Sequence, residues 1–296
     1  MVILNVYLIA PMIAIADGDC NAIIIDHTCI DVDLIPDYWI EQAKLLTLHY
    51  AHTSHGSQIT SGSLNFESQN SKYSVAIRQS TTTSLPPEEN PLALRIYDGN
   101  PPETCITPEN YWSTEDGRSR TRAVANTGDY NFSMWAWCGQ VSSALESYIQ
   151  EYLETLNTFE QEYPNIRFIY MTGHLDGTRS TGNLHLHNEQ IRNYCIANNK
   201  VLFDFANIKR YDPDGNDYLD LRADDNCDYD GGNWAQQWYA EHPESDLCAS
   251  CYCAHSQPLI CNLKAKAFWW MMARLAGWDG CVQDFDKKME MLMEAI

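Results

Sequence analysis

The sequence has 296 residues, of which 45% are hydrophobic and 20% are charged. A chain this rich in aliphatic and aromatic residues can bury enough apolar surface to fold, so intrinsic disorder is excluded, and the length fits one large domain. The 40 Asp and Glu residues outnumber the 19 Lys and Arg residues, which gives a formal net charge of −21. Because phosphate binding needs clustered Lys and Arg, this charge argues against nucleic acid or an anionic membrane as the partner.

The first 16 residues, MVILNVYLIAPMIAIA, are uncharged and end in the small-x-small sequence Ala14-Ile15-Ala16. This pattern predicts a secretory signal peptide, and therefore a secreted or cell-surface protein, although Lys or Arg is missing before the apolar run. A buried N-terminal strand is the alternative. No other stretch reaches the roughly 18 apolar residues of a membrane span. We therefore expect a signal peptide over 1–16, one domain over 17–280 and a tail over 281–296.

Eleven cysteines raise the question of the redox compartment. In an exported protein they are expected to form disulfides, and Cys248, Cys251, Cys253 and Cys261 lie close together in sequence. A zinc site that includes His255 is the alternative, but zinc sites usually use two separated ligand pairs. An odd number of cysteines leaves at least one thiol unpaired or available for a bridge to another chain.

Short apolar runs alternate with amphipathic segments along the chain. Strands are predicted over 44–50, 132–137, 167–172 and 201–205, and helices over 141–162, 184–198 and 258–278. Residues 80–128 are rich in Pro, Thr, Ser, Asn and Gly and predict a long irregular loop, or elements that the pattern hides. Alternating strands and helices indicate a three-layer α/β sandwich with a mostly parallel sheet.

An acidic turn follows the last predicted strand. Its oxygen-bearing side chains are Asp212, Asp214, Asn216 and Asp220. Ca²⁺ takes six to eight oxygen ligands, so the segment is a candidate calcium site, although its spacing fails the EF-hand pattern. A solvated acidic turn is the alternative.

Polar loops follow the predicted strands or precede the last helix: HTSHGSQ over 52–58, CGQ over 138–140, GHLDG over 173–177 and AHSQ over 254–257. In a parallel sheet the carboxyl ends of the strands collect the reactive groups. A serine hydroxyl activated by a histidine, with backbone N–H groups facing an oxyanion, is one chemistry that these loops could support.

The order of these segments resembles the SGNH (GDSL-like) hydrolases, in particular a secreted bacterial branch with HTSHGSQ, YMTGHLDG and WWMMARLAGW segments. The resemblance covers about residues 24–280 and implies a flavodoxin-like sheet and ester hydrolysis by a serine–histidine pair. By this resemblance Ser54 is the nucleophile and His255 the general base, while the N–H groups of Ser54 and Gly139 form part of the oxyanion hole. His174 occupies the position of the family's asparagine and is a candidate replacement donor.

The sequence departs from the family at the orienting acid. The family has Asp three residues before the histidine, but that position is Tyr252 here. Asp246 or a backbone carbonyl is the candidate substitute. Without a carboxylate the histidine loses control of its tautomer, which lowers the rate strongly.

Several candidate residues also have structural interpretations. Ser54 could cap a helix, Ser57 competes with it as nucleophile, and His255 could be structural beside disulfides. For His52 and His55 we favour a surface or supporting role.

The leading prediction is a secreted esterase that needs no cofactor and removes an acyl group, such as acetate, from carbohydrate or another extracellular ester. The alternative is a catalytically impaired protein of the same fold that serves in surface binding or assembly. A third hypothesis is metal-dependent hydrolysis, for which three of His52, His55, His174 and His255 would have to converge on one ion.

Overall fold

The structure is a computed structural model that describes residues 22–280. The predicted signal peptide and the tail over 281–296 lie outside the described residues. The strands are β1 Ile23–Ile25, β2 Thr47–His52, β3 Val75–Gln79, β4 Leu94–Asp98, β5 Phe132–Ala136, β6 Arg167–Met171, β7 Val201–Phe203, β8 Asp228–Tyr229 and β9 Gly232–Asn233. The helices are α1 Asp37–Ala43, α2 Ser57–Gln69, α3 Glu115–Ala125, α4 Gln140–Ser143, α5 Glu146–Glu162, α6 Asn183–Ala197, α7 Phe205–Arg210, α8 Trp234–Glu241 and α9 Pro258–Leu275.

Seven of the strands form one parallel sheet in the order β1-β7-β6-β5-β2-β4-β3, while β8 and β9 form a small antiparallel pair. The central strands are short apolar runs, and every residue of β2 and β5 is buried. Strands covered on both faces typically have such continuous apolar sequences. The prediction of a three-layer α/β sandwich with a parallel, flavodoxin-like sheet is confirmed.

Helix α9 contacts α1, α2 and α7 in one group of helices, and α6 contacts α4 and α5 in a second group. Most of α9 is buried on all sides, as expected for a helix without a polar face. A Cβ atom at Gly62 of α2 would lie 2.1 Å from the carbonyl oxygen of Cys261 in α9. Only glycine therefore permits this close approach of the two helices.

The sheet reverses its building direction at β2, which lies between β4 and β5. Ligand sites in open parallel sheets form at such a point, beyond the carboxyl ends of the strands. In the β2–β5 register His52 pairs with Ala136. Ser54 and Cys138 each lie two residues further along, so the register brings these two side chains together.

Two parts of the sequence fold differently from the prediction. The helix predicted over 141–162 is divided into α4 and α5, because the backbone is extended at Ala144 and Leu145, and the Leu145 side chain is 73% exposed. The predicted loop over 80–128 contains β4 and α3. Strand β4 is only five residues long, and α3 (EDGRSRTRAVA) buries too few apolar residues to produce a clear helical pattern.

Within residues 22–280, no helix combines the length and apolar character needed to cross a membrane.

Candidate functional site

Ser54 and His255 meet at the carboxyl edge of the sheet. Ser54 follows β2, and His255 lies in the loop that precedes α9. Oγ of Ser54 lies 2.8 Å from Nε2 of His255, within hydrogen-bond distance, and both residues are exposed. Ser57, the competing serine, points away, because its hydroxyl donates to the carbonyl oxygen of Ser54 at 2.6 Å. The structure therefore brings together the serine and histidine that the sequence singled out.

The backbone of His255 is held in an unusual conformation. Its φ of 61° lies in the left-handed region, which is rare for a residue other than glycine and persists where the surroundings enforce it. A Cys253–Cys261 disulfide closes the loop around His255. The buried Gln58 amide donates to the carbonyl oxygen of Ala254 at 2.5 Å and accepts from Nζ of Lys264 at 2.6 Å.

Asp246, the acid predicted to orient His255, does not contact it. Asp246 instead forms an ion pair with Lys266 at 2.7 Å, and Tyr252 is 77% exposed. Among residues 22–280, no carboxylate contacts His255, so Asp246 is corrected to a residue of a peripheral ion pair. The His255 ring instead stacks on the ring of His55, with centroids 4.4 Å apart.

Ser54 and Gly139 belong to loops that follow the adjacent strands β2 and β5. Among the described groups, neither the Ser54 N–H nor the Gly139 N–H has a hydrogen-bond acceptor. No atom lies within 4 Å of a Cβ atom built on Gly139, so there is room for a ligand beside it. These features fit the predicted role of the two amides in stabilising an oxyanion.

His174, the third candidate for the oxyanion hole, is buried near His55 with ring centroids 4.9 Å apart. Burial lowers its pKa to about 4, so the imidazole is neutral at pH 7. Its Nε2 lies 3.5 Å from the hydroxyl of Ser142, and its buried Nδ1 has no partner among the described groups. Its position therefore places a neutral polar ring beside the site without a direct bond to Ser54.

A second group of side chains adjoins Ser54 and was missed by sequence reasoning. His55, which we expected in a surface or supporting role, is only 4% exposed. Its Nδ1 lies 2.9 Å from Sγ of Cys138, and its Nε2 lies 2.8 Å from Oδ2 of Asp225. The other carboxylate oxygen of Asp225 accepts from Nζ of Lys209 at 2.5 Å, and Lys209 is fully buried. These four residues form one continuous chain of polar contacts.

The electrostatics of this chain favour charge separation. Burial opposes ionisation of Cys138, but its contacts with His55 and Ser54 lower the pKa of its thiol to about 6. Burial also opposes protonation of His55, yet the bonds to Asp225 and Cys138 raise its pKa overall. The pKa of Asp225 is lowered despite burial, mainly by the charge of Lys209. A thiolate facing an imidazolium is therefore the favoured state at neutral pH.

Ligand atoms of His55, His174 and Asp225 lie within 4.8 Å of one another, a spacing that a metal ion could bridge. Both ring nitrogens of His55 are already engaged, and the Lys209 ammonium neutralises Asp225. We therefore assign His55 and Asp225 to the hydrogen-bonded chain, with His174 packed beside it. His52 takes no part, because its Nε2 lies 3.2 Å from Oδ1 of Asp98.

The acidic turn lies apart from these residues in its own hydrogen-bond network. Asp212 accepts from Asn216 and Tyr218, and Asp214 accepts from Nε1 of Trp238 at 2.9 Å. Asp220 instead accepts from the hydroxyl of Ser180 at 2.6 Å. Calcium binding by Asp212, Asp214, Asn216 and Asp220 stays a prediction, and the carboxylates of three of these residues already have protein donors.

The cysteine cluster forms one bridge rather than a disulfide framework. Cys253 pairs with Cys261, while Cys248 and Cys251 remain free. The cluster does not form a zinc site. Within residues 22–280, the one group of three or more His, Cys, Asp or Glu side chains with converging ligand atoms is His55, His174 and Asp225. Cys105 is an exposed free thiol, so a bridge to another chain stays a prediction.

An open cavity of about 420 Å³ adjoins the site. Its lining residues are His174, Leu175, Asp176, Asp224, Asp225, Asn226 and His255. The cavity thus connects the candidate base with the acidic residue behind His55, and a substrate seated there would lie beside His255.

Comparison of this chain with protein-family models, with curated proteins and with solved structures finds no match in any of the three. The chemistry of the site therefore has to be argued from its own side chains. For Cys138 a sequence signal existed, because the residue directly follows a predicted strand. Asp225 and Lys209 carry no such signal, since only the folded chain brings them to His55.

Proposed function

We propose that this protein hydrolyses acyl esters, with Ser54 as the nucleophile and His255 as the general base. The observation that carries the proposal is the 2.8 Å hydrogen-bond contact between the Ser54 hydroxyl and Nε2 of His255. Supporting it are the position at the reversal point of the sheet and the two backbone amides without acceptors among the described groups. The resemblance of the four loop motifs to SGNH hydrolases agrees with this chemistry.

In the proposed reaction, Nε2 of His255 takes the hydroxyl proton as Ser54 attacks the ester carbonyl. The N–H groups of Ser54 and Gly139 stabilise the negative charge that develops on the carbonyl oxygen. His255 then gives the proton to the departing alcohol. Water, deprotonated by the same nitrogen, hydrolyses the acyl-Ser54 ester and restores the site.

The cavity beside His255 supports a polar alcohol group in the substrate. Ser54 and His255 are exposed, and the cavity beside His255 is open and carries acidic and amide side chains. We extend the proposal to an extracellular ester, such as acetylated carbohydrate, because of the signal pattern over residues 1–16. That segment lies outside the described residues.

The test compares three variants on an alkyl ester, ethyl acetate, with the released acid followed by titration. Ser54→Ala removes the nucleophile and should lower kcat by about a thousandfold or more, whereas His255→Gln removes the base and should cost about 10²–10⁴-fold. Ser57→Ala is the matched control, because it removes a nearby serine hydroxyl that does not face His255. Unchanged turnover in Ser54→Ala, with wild-type circular dichroism, would sink the assignment.

A second candidate function is ligand binding without catalysis. It is favoured by one observation, namely that no described carboxylate orients His255. In that case wild-type turnover would not exceed that of Ser54→Ala, and a polysaccharide acetate would bind equally well to both proteins. Isothermal titration with the two proteins distinguishes the candidates.

A further inference from the structure

A second nucleophile lies 3.5 Å from the first, measured from Ser54 Oγ to Cys138 Sγ. We propose that Cys138, His55 and Asp225 form a cysteine-type catalytic triad that takes the acyl group of thioesters, an activity separate from ester hydrolysis by Ser54.

The contacts among the three side chains support this assignment. In a triad the nucleophile contacts the base, and a third group orients the base by binding its other nitrogen. Cys138, His55 and Asp225 meet both conditions at 2.9 and 2.8 Å. Lys209 binds the second oxygen of the carboxylate, so the acid is fixed on both sides. His255, by comparison, has no such third group among residues 22–280.

The thiol is also placed to react. Cys138 is half-buried and directly precedes the exposed Gly139, whose N–H has no acceptor among the described groups. The charged and titratable groups packed around Cys138 and His55 are Asp225, Lys209, His174 and the stacked His255. His55 is the principal donor to the thiolate, because its Nδ1 lies 2.9 Å from Sγ of Cys138 whereas Oγ of Ser54 lies 3.5 Å away.

Leaving-group chemistry identifies the substrate class. After attack on an alkyl ester, the tetrahedral intermediate would expel the thiolate of Cys138, because a thiolate is a much better leaving group than an alkoxide. With a thioester the two candidate leaving groups are both thiolates, so the reaction can go forward. We therefore assign alkyl esters to Ser54 and thioesters to Cys138.

The proposed hydrolysis of a thioester has an acylation step and a deacylation step. Sγ of Cys138 bonds to the acyl carbon, the bond from that carbon to the substrate sulfur breaks, and His55 gives its Nδ1 proton to the departing thiolate. Water then bonds to the acyl carbon and returns one proton to His55. The Cys138–acyl bond breaks, the carboxylic acid leaves, and the thiolate–imidazolium pair is restored.

The first test measures alkylation of Cys138 by iodoacetamide in the full chain, quantified by peptide mass spectrometry. At about pH 5.5, a thiol of pKa about 6 is roughly 24% ionised, whereas one of pKa 9.0 is about 0.03% ionised. Lower basicity reduces the reactivity of each thiolate about 20-fold. His55→Gln should therefore slow alkylation of Cys138 about 40-fold. Equal rates in wild type and His55→Gln would overturn the proposal.

Two controls accompany this measurement. The exposed thiol of Cys105 is followed in the same digest and should react equally in every variant. His185→Gln removes a histidine that pairs with Glu189 on α6, outside the triad, and should leave the Cys138 rate unchanged. Asp225→Asn is the second triad variant, and it should slow alkylation in the same direction if His55→Gln fails to fold.

The second test compares turnover of S-phenyl thioacetate, followed by ultraviolet absorbance without a thiol reagent, with turnover of an alkyl ester, ethyl acetate, followed by titration of the released acid. Cys138→Ala should lower thioester turnover at least tenfold more than ester turnover, and Ser54→Ala should do the reverse. Loss of both activities in Ser54→Ala alone would overturn the triad while leaving the proposed esterase intact. Loss of thioester turnover only in Cys138→Ala, with ester turnover unchanged in Ser54→Ala, would overturn the esterase and support the triad.

Discussion

Gln58 connects the buried core to the loop that carries His255, so we expect its removal to affect both stability and catalysis. The Gln58 amide donates to the carbonyl oxygen of Ala254 at 2.5 Å and accepts from Nζ of Lys264 at 2.6 Å. Gln58 and Lys264 are fully buried, and Ala254 is 4% exposed. Gln58→Leu keeps most of the side-chain volume but breaks both hydrogen bonds.

The expected loss of stability follows from the two groups left without partners. A buried polar group deprived of its hydrogen bond costs about 1–3 kcal/mol. For the Ala254 carbonyl and the Lys264 amine together, we expect Gln58→Leu to lower the free energy of unfolding by about 2–6 kcal/mol. At roughly 2 °C per kcal/mol for a chain of this size, Tm should fall by about 4–12 °C.

Gln58→Glu tests the anchor of the His255 loop. The carboxylate still accepts from Lys264, but it cannot donate to Ala254, and its oxygen is buried against the carbonyl oxygen of Ala254. We therefore expect a loss of stability together with a fall in kcat on ethyl acetate. Urea unfolding and steady-state kinetics measure the two effects. A free energy of unfolding for Gln58→Leu within about 0.5 kcal/mol of wild type would refute the reasoning, since that is the usual range for surface substitutions.

Two further changes test other parts of the site. Cys253→Ser opens the loop that contains His255, and chain entropy predicts a loss of about 2–3 kcal/mol in the free energy of unfolding for a loop this short. Urea unfolding measures this loss, with the free-cysteine variant Cys251→Ser as the control. An equal effect in both variants would contradict this role of the disulfide. His174 has a folded pKa of about 4 against an ordinary 6.5, so the unfolded chain takes up its proton first and stability should fall by about 3 kcal/mol between pH 6.5 and pH 4. His174→Gln should flatten this part of the unfolding profile, and an unchanged slope would argue against a buried neutral His174.

The sequence predicts the positions of strands and helices where apolar residues form a clear pattern. The runs that became β2, β5, β6 and β7 are short and apolar, and the last helix is apolar on all sides, so their positions were predicted within a few residues. Strand β4 and helix α3 were hidden in a segment rich in turn-forming residues, because the first is short and the second is mostly polar. Local sequence does not reveal such elements, since neighbours in the fold stabilise them.

The sequence by itself determined that the chain folds as a parallel α/β sandwich and that its Ser54 and His255 loops lie at one edge of the sheet. Alternation of strands and helices dictates parallel pairing, and parallel pairing collects the loops at the carboxyl ends. Only the tertiary structure decided which acid meets which histidine. Asp246 was the candidate nearest in sequence but pairs with Lys266, whereas Asp225 reaches His55 from a different loop. Contacts between residues this far apart depend on strand order and register, which no local pattern encodes.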